Sequence, residues 1–165
     1  MQFYLKPEGG PRLFFTVLDD CGRPDYEVRG VYSSVGCRLA LCGPEGKTEA
    51  HLTGVCLPDL TRYAASSGAK RLRIWVRPDA ARRAVQFRGA EWRFRGSVLT
   101  RSFDVVERRA GETSVVMTHG RCWNGGHDCY AVTIRREADV PLALCAAVAV
   151  DLAVVVGCAL PIPAG

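Results

Sequence analysis

The chain begins without the features of a secretory leader. Its first ten residues, MQFYLKPEGG, contain neither a basic stretch nor a following apolar run. A secretory signal needs both of these regions. We therefore expect a cytoplasmic protein.

The dense, regular cysteine spacing of a small disulfide-rich domain is also missing. Eight cysteines lie in apolar or strand-like stretches, at Cys21, Cys37, Cys42, Cys56, Cys122, Cys129, Cys145 and Cys158. Secreted disulfide scaffolds are short chains with closely repeated cysteines. We expect most of these cysteines to be buried free thiols, because free cysteine packs as a small apolar residue.

Glycine-rich motifs that hold nucleotide phosphates are absent as well. No G-x-G-x-x-G occurs, and residues 43–48 offer only the second half of a P-loop, with Leu41 where its first glycine should be. A P-loop also needs a helix after it, whereas a strand pattern follows here. We interpret this segment as a hairpin turn. With no catalytic motif assigned, we expect a non-enzymatic protein without a cofactor.

What the chain does have is one long β pattern. Its 165 residues, 48% of them apolar, suffice for one domain spanning 1–165. Apolar residues alternate with polar ones and turn residues interrupt them at short intervals, which is typical of an antiparallel sandwich or barrel. The predicted strands are Phe3–Lys6, Arg12–Leu18, Tyr26–Gly30, Cys37–Cys42, Glu49–Val55, Arg71–Arg77, Ala84–Arg88, Glu91–Arg95, Arg101–Glu107, Glu112–Thr118 and Cys129–Arg135, with Leu60–Ala65 as a further candidate.

The pattern changes after Arg136, where Val140–Leu160 is apolar on every side. Pro141 near its start and Gly157 near its end suit a helix. Such a helix must be surrounded by protein or by lipid. Its length allows a membrane span, but the charge at Asp151 disfavours one, and we expect Asp151 to pair with an arginine at a barrel end. About twelve strands closing into a barrel leave a wide interior, which one apolar helix would fill.

The order of several weak motifs resembles a known family. They are Phe14–Gly22, Tyr26–Gly30, Leu39–Leu41 with Glu45–Lys47, Trp92–Gly96 with Phe103–Val105, Asp128–Ile134 and Ala147–Asp151. This order resembles the LURP-one-related or YxjI-like proteins, which belong with the Tubby C-terminal-like and phospholipid scramblase-like proteins. The resemblance implies a closed barrel of twelve strands around a central C-terminal helix. It carries over no catalytic residue, although some of these proteins bind phosphoinositides or DNA or act at membranes.

Basic residues concentrate in the middle of the chain. Between Lys70 and Arg109 there are twelve Lys and Arg but four acidic residues. Alternation along two strands predicts one apolar face and one basic face, the latter consisting of Arg71, Arg73, Arg77, Arg93 and Arg95. Lys70, Arg82, Arg83 and Arg88 would enlarge it. Guanidinium groups suit phosphate oxygens, although an arginine-rich solvated face is the simpler interpretation.

The segment from His119 to Cys129 holds four side chains of types that bind zinc: His119, Cys122, His127 and Cys129. Their spacing matches no known zinc finger or ribbon. We favour an ordinary hairpin without metal, and a Cys–His nucleophile pair in this loop is a further alternative.

Three functions follow from these features. The first is a non-enzymatic scaffold that binds anionic phospholipid head groups, a membrane surface or another phosphate ligand on the basic face. Base-specific nucleic-acid binding is less favoured, since the aromatics other than Trp75 lie on or beside the core face. The second is a scramblase-like membrane protein with its C-terminal helix in the bilayer. The third is a metal or thiol enzyme that uses the 119–129 loop.

Overall fold

The computed structural model describes residues 1–57, 59–77, 84–124 and 127–159, with the backbone alone at 123, 124, 127 and 156–159. Twelve strands and one long helix occupy these residues. The strands are β1 Gln2–Pro7, β2 Leu13–Leu18, β3 Pro24–Ser33, β4 Gly36–Cys42, β5 Thr48–Leu57, β6 Leu60–Ser67, β7 Lys70–Val76, β8 Val85–Arg88, β9 Trp92–Ser97, β10 Ser102–Arg109, β11 Glu112–Asn124 and β12 His127–Ile134. A short 3₁₀ turn, Glu137–Asp139, precedes the helix α1, Val140–Ala159.

The strands form a closed barrel in which each strand pairs with its neighbours in the sequence, and β1 pairs with β12 to complete the ring. Every pairing is antiparallel, as the short turns between strands predict. The predicted mainly β fold is therefore confirmed. The candidate strand at Leu60 is real and extends to Ser67 as β6.

The helix α1 occupies the inside of this barrel. Its residues from Val140 to Val154 are buried, apart from the half-buried Pro141. Five alanines in this stretch (Ala143, Ala146, Ala147, Ala149 and Ala153) keep the helix narrow, so that it fits among the inward-facing strand residues. Among the described residues, the helical segment Glu137–Val155, which includes the 3₁₀ turn, is long and apolar enough to cross a membrane. However, 78% of its most apolar 18-residue window is buried inside the protein. The all-apolar surface is therefore explained by enclosure.

The start of α1 is attached to the barrel wall by ion pairs. The Arg136 guanidinium donates hydrogen bonds to Asp139 at 2.6 Å and to Glu107 on β10 at 2.9 Å. Glu107 also pairs with Arg109 at 3.0 Å, and its side chain is only 5% exposed. A carboxylate buried to this degree requires such partners.

Candidate anion-binding face

The predicted basic face exists on the outside of β7 and β9. Leu72, Ile74 and Val76 of β7 are at most 1% exposed, whereas Arg71 and Arg73 on either side of Leu72 are exposed. Arg93 and Arg95 of β9 are likewise exposed, next to the buried Trp92. Alternation along each strand produces this division, since successive side chains point to opposite faces of the sheet.

Strand pairing brings these arginines into neighbouring rows. Arg73 lies opposite Arg88 of β8, and Arg93 lies opposite Gln86 of the same strand. Like charges directly opposite one another destabilise a sheet. The arrangement is therefore not explained by stability of the barrel.

The arginines of this region also lack acidic partners. Within the described residues, no carboxylate lies within ion-pair distance of Arg62, Arg71, Arg73, Arg77, Arg88, Arg93 or Arg95. Arg71 donates instead to the backbone carbonyls of Gly68 and Lys70, at 2.7 and 3.0 Å. Elsewhere Arg23, Arg109 and Arg121 each pair with a carboxylate. The guanidinium groups of this face are thus available to an external anion.

A shallow depression of about 140 Å³ lies on this face around Trp75. Its lining consists of Leu60, Arg62, Trp75, Arg77, Gln86 and Arg88. The Arg88 guanidinium lies 5.3 Å from the centre of the Trp75 ring, a cation–π contact that holds the arginine over the indole. We name this site the Trp75 depression.

Arg62 is the residue that sequence reasoning missed. It lies opposite Trp75 in the pairing of β6 with β7, so its side chain shares the outer face. The local signal was present, because exposed Arg62 stands between the buried Thr61 and Tyr63. The position of β6 beside β7 decides that Arg62 joins the site.

The five predicted arginines do not form one patch. Arg77 lines the Trp75 depression, whereas Arg71 and Arg93 line a larger cleft of about 1440 Å³ near the start of α1. Arg73 lies beside Arg88, and Arg95 lies opposite Asp104 of β10. Lys70 and Arg88 also line the cleft, while Arg82 and Arg83 lie outside the described residues.

Comparison with known proteins agrees with this architecture. The sequence pattern of the LURP-one-related proteins matches residues 11–151. The chain belongs to the LURP-one-related family. A solved X-ray structure of an Arabidopsis thaliana protein is similar at a TM-score of 0.50 and 17% sequence identity, over 92% of this chain and 89% of that chain. At this identity the likeness concerns the fold alone. A comparison with curated protein sequences finds no match.

The region matched by the LURP-one-related pattern contains both members of a buried polar pair. His119 of β11 and Asp151 of α1 lie inside the barrel, with side chains 0% and 1% exposed and a distance of 3.2 Å from Nε2 to Oδ2. The expectation that Asp151 pairs with an arginine at a barrel end is therefore wrong. Arginine is long and always charged, while the neutral or charged imidazole fits flat between Phe103 and Tyr130.

Hydrogen-bond directions fix how many protons this pair holds. The His119 Nδ1 lies 2.7 Å from the carbonyl oxygen of Arg101 and must donate to it, since a carbonyl only accepts. The contact from Nε2 to Asp151 then needs a second proton, on the imidazole or on the carboxyl group. In both arrangements the pair has no net charge, which suits its apolar surroundings.

Of the candidate zinc ligands of the 119–129 loop, the three whose side chains the structure describes do not come together as a ligand set. His119 and Cys122 are three residues apart on β11, so their side chains point to opposite faces, and His119 is taken up by Asp151. Cys122 lies opposite Cys129 in the pairing of β11 with β12, and the two form a disulfide. The side chain of His127 lies outside the described residues. Because both cysteines of the loop are in this disulfide, neither offers the free thiol that the thiol-enzyme alternative needs.

The expectation of buried free thiols is correct for part of the set. Cys37 and Cys145 are buried and free, and burial raises the pKa of Cys37 to about 11 and that of Cys145 to about 12. Cys42 and Cys56 are half-buried and Cys21 is exposed. The expectation is wrong for the bonded Cys122 and Cys129, and the side chain of Cys158 lies outside the described residues.

Proposed function

We propose that this LURP-one-related protein is a non-enzymatic scaffold that binds an anionic phospholipid head group or a similar phosphate ligand at the Trp75 depression. The observation that carries the proposal is the group of guanidiniums of Arg62, Arg77 and Arg88 around one indole ring, none of which pairs with a carboxylate of the described residues. A guanidinium presents donors in a fork that matches two phosphate oxygens.

The position of the depression also favours an extended surface as the ligand. It lies on the outer wall of the barrel, among the exposed side chains of β6, β7 and β8. Arg73 and Arg95 lie on the same wall and would add to the positive potential. Each basic residue near an anionic membrane contributes about 1 kcal/mol to its binding.

The test is vesicle flotation with the whole chain. Vesicles of phosphatidylcholine with phosphatidylserine should bind the protein, and vesicles of phosphatidylcholine alone should not. Binding should decrease steeply between low and moderate salt, because screening weakens attraction between exposed charges. Reversal of three charges on the outer wall, Arg62→Glu, Arg73→Glu and Arg77→Glu, should lower the affinity by roughly a hundredfold or more.

A matched control has the same net charge. Arg12, Arg38 and Arg135 are exposed on other parts of the barrel and have no ion pair within the described residues. Changing these three arginines to Glu should leave most of the binding intact. Equal losses in both triple variants would mean that net charge, not the Trp75 depression, drives binding. Salt-resistant binding that requires α1 would instead favour the scramblase-like alternative.

A further inference from the structure

The large cleft at the start of α1 differs from the Trp75 depression in its floor. Its apolar lining includes Val85, Phe87, Trp92, Phe94 and Leu142, which join or pack against the core of the barrel. Its volume of about 1440 Å³ exceeds the roughly 300–1,000 Å³ of most small-molecule pockets. The cleft therefore has room for a long apolar group.

The cleft lies where few residue pairs join two neighbouring strands of the barrel, β8 and β9. β8 has four residues and joins β9 through the single pair Gln86 and Arg93. The turn after β8 is held against β7 instead. At Gly89, with φ of 102°, a Cβ atom would lie 2.2 Å from the carbonyl oxygen of Arg71. Only glycine allows this approach. Phe87 and Phe94 beside the gap are half-buried, whereas Val85, Trp92 and Leu142 beneath them are at most 6% exposed.

The charges that line the cleft are positive in excess. Six basic residues (Lys70, Arg71, Arg88, Arg93, Arg109 and Arg136) accompany three acidic ones (Glu91, Glu107 and Asp139). Arg109 and Arg136 are engaged by Glu107 and Asp139, and Lys70 donates to the carbonyl oxygen of Ala138 at 2.8 Å. Arg71, Arg88 and Arg93 then remain against the single carboxylate of Glu91, and Arg88 and Arg93 lie beside the gap between β8 and β9. An anionic group is the complement of this rim.

We propose that the cleft binds a single-chain anionic amphiphile, with its head group at Arg88 and Arg93 and its alkyl chain along the half-buried Phe87 and Phe94. The site is distinct from the Trp75 depression, although Gln86 and Arg88 line both. The cleft would bind one soluble molecule, whereas the Trp75 depression would bind head groups at a membrane surface. The variants below leave Gln86 and Arg88 unchanged, so that loss of binding at one site can be distinguished from loss at the other.

The first test is calorimetric titration of the whole chain with dodecyl phosphate below its critical micelle concentration. One molecule should bind per chain. Inorganic phosphate should not compete at the same concentration, and the uncharged dodecyl maltoside should bind at least roughly tenfold more weakly, since a charged hydrogen-bonded head group contributes more than 1.4 kcal/mol. Absence of saturable binding, or equal binding of dodecyl maltoside, would overturn the proposal.

The second test blocks the cleft by adding an indole to its wall. Ala90 and Ala69 line it from the β8–β9 turn and from the β6–β7 turn. Ala90→Trp and Ala69→Trp should each weaken dodecyl phosphate binding roughly tenfold or more, which corresponds to about two methylene groups denied burial. Two variants on different sides of the cleft are used in case one substitution disturbs folding. A cooperative thermal unfolding transition shows which variants are folded.

Val115→Trp is the matched control, because Val115 is exposed on β11, outside the cleft. It should bind dodecyl phosphate as the unchanged chain does. The variant with Arg62, Arg73 and Arg77 changed to Glu should also retain this binding, while Ala90→Trp should still float with acidic vesicles. If both folded cleft variants bind dodecyl phosphate with unchanged affinity, the cleft is not the site.

Discussion

Charged side chains inside the barrel and on its β7–β9 wall follow opposite rules. Inside, His119 and Asp151 bond to each other, and the nearly buried Glu107 bonds to Arg109 and Arg136. On the wall, Arg73 faces Arg88 without a carboxylate partner in the described part of the chain. Burial makes an unpaired charge expensive, whereas water screens one at the surface. Unpaired charges are therefore tolerated where they remain accessible to solvent.

The largest expected loss of stability comes from replacing His119, one member of the buried pair that it forms with Asp151. His119→Phe keeps a flat ring between Phe103 and Tyr130 but leaves Asp151 without its partner. The free energy of unfolding should decrease by about 3–5 kcal/mol. Urea unfolding followed by circular dichroism measures it.

The double variant His119→Phe with Asp151→Leu provides the control for this prediction. Replacing both members of a buried pair by apolar residues is often neutral, so the double variant should recover most of the lost stability. Asp128→Ala, which breaks the exposed Arg121–Asp128 pair, should cost less than about 1 kcal/mol. Additive losses in the double variant would contradict the pairing.

A second prediction concerns the pH dependence of stability that the buried thiol of Cys145 causes. Burial raises the pKa of Cys145 from 9.0 to about 12. The folded state keeps the proton after the unfolded state has lost it, so stability is present below pH 9 and declines as pH rises toward 12. The slope is about 1.4 kcal/mol per pH unit for one such group.

Urea unfolding under reducing conditions at pH 8 and pH 10 measures this slope. Cys145→Ala removes one of the two buried free thiols of the described residues, the other being Cys37 with a pKa of about 11, and should reduce the decline, whatever it does to stability at pH 8. Cys21→Ala is the matched control, since Cys21 is exposed. If Cys145→Ala leaves the decline unchanged, the thiol does not cause it.

The smallest expected change in stability concerns Arg73 on the outer wall of the barrel. Arg73→Glu replaces a like-charged cross-strand pair with Arg88 by an opposite-charged one. The free energy of unfolding should increase by about 0.2–1 kcal/mol, while binding to acidic vesicles decreases. Arg38→Glu, on β4 away from this wall, should leave vesicle binding unchanged. A variant that lost both stability and binding would indicate that Arg73 has a structural role.

Local pattern predicted the elements well because each depends on neighbours in the sequence. The alternation of Leu72, Ile74 and Val76 with Arg71 and Arg73 determines which face of β7 is buried, whichever strand lies beside it. The all-apolar run likewise requires a helix that is surrounded by protein or by lipid, and α1 extends past Asp151 to Ala159. The exposure of the predicted arginines was read from the pattern, whereas the two depressions that they line were not, and their role in binding stays a prediction.

The sequence by itself therefore determined the strands, the apolar helix and the outward direction of the arginines, because periodicity and apolarity act over a few residues. Only the tertiary structure decided which side chains meet. His119 reaches Asp151 across 32 positions, Arg62 joins Trp75 through the register of β6 with β7, and the cleft opens where β8 and β9 share one residue pair. These contacts depend on strand register and on the placement of the helix, which no local pattern contains.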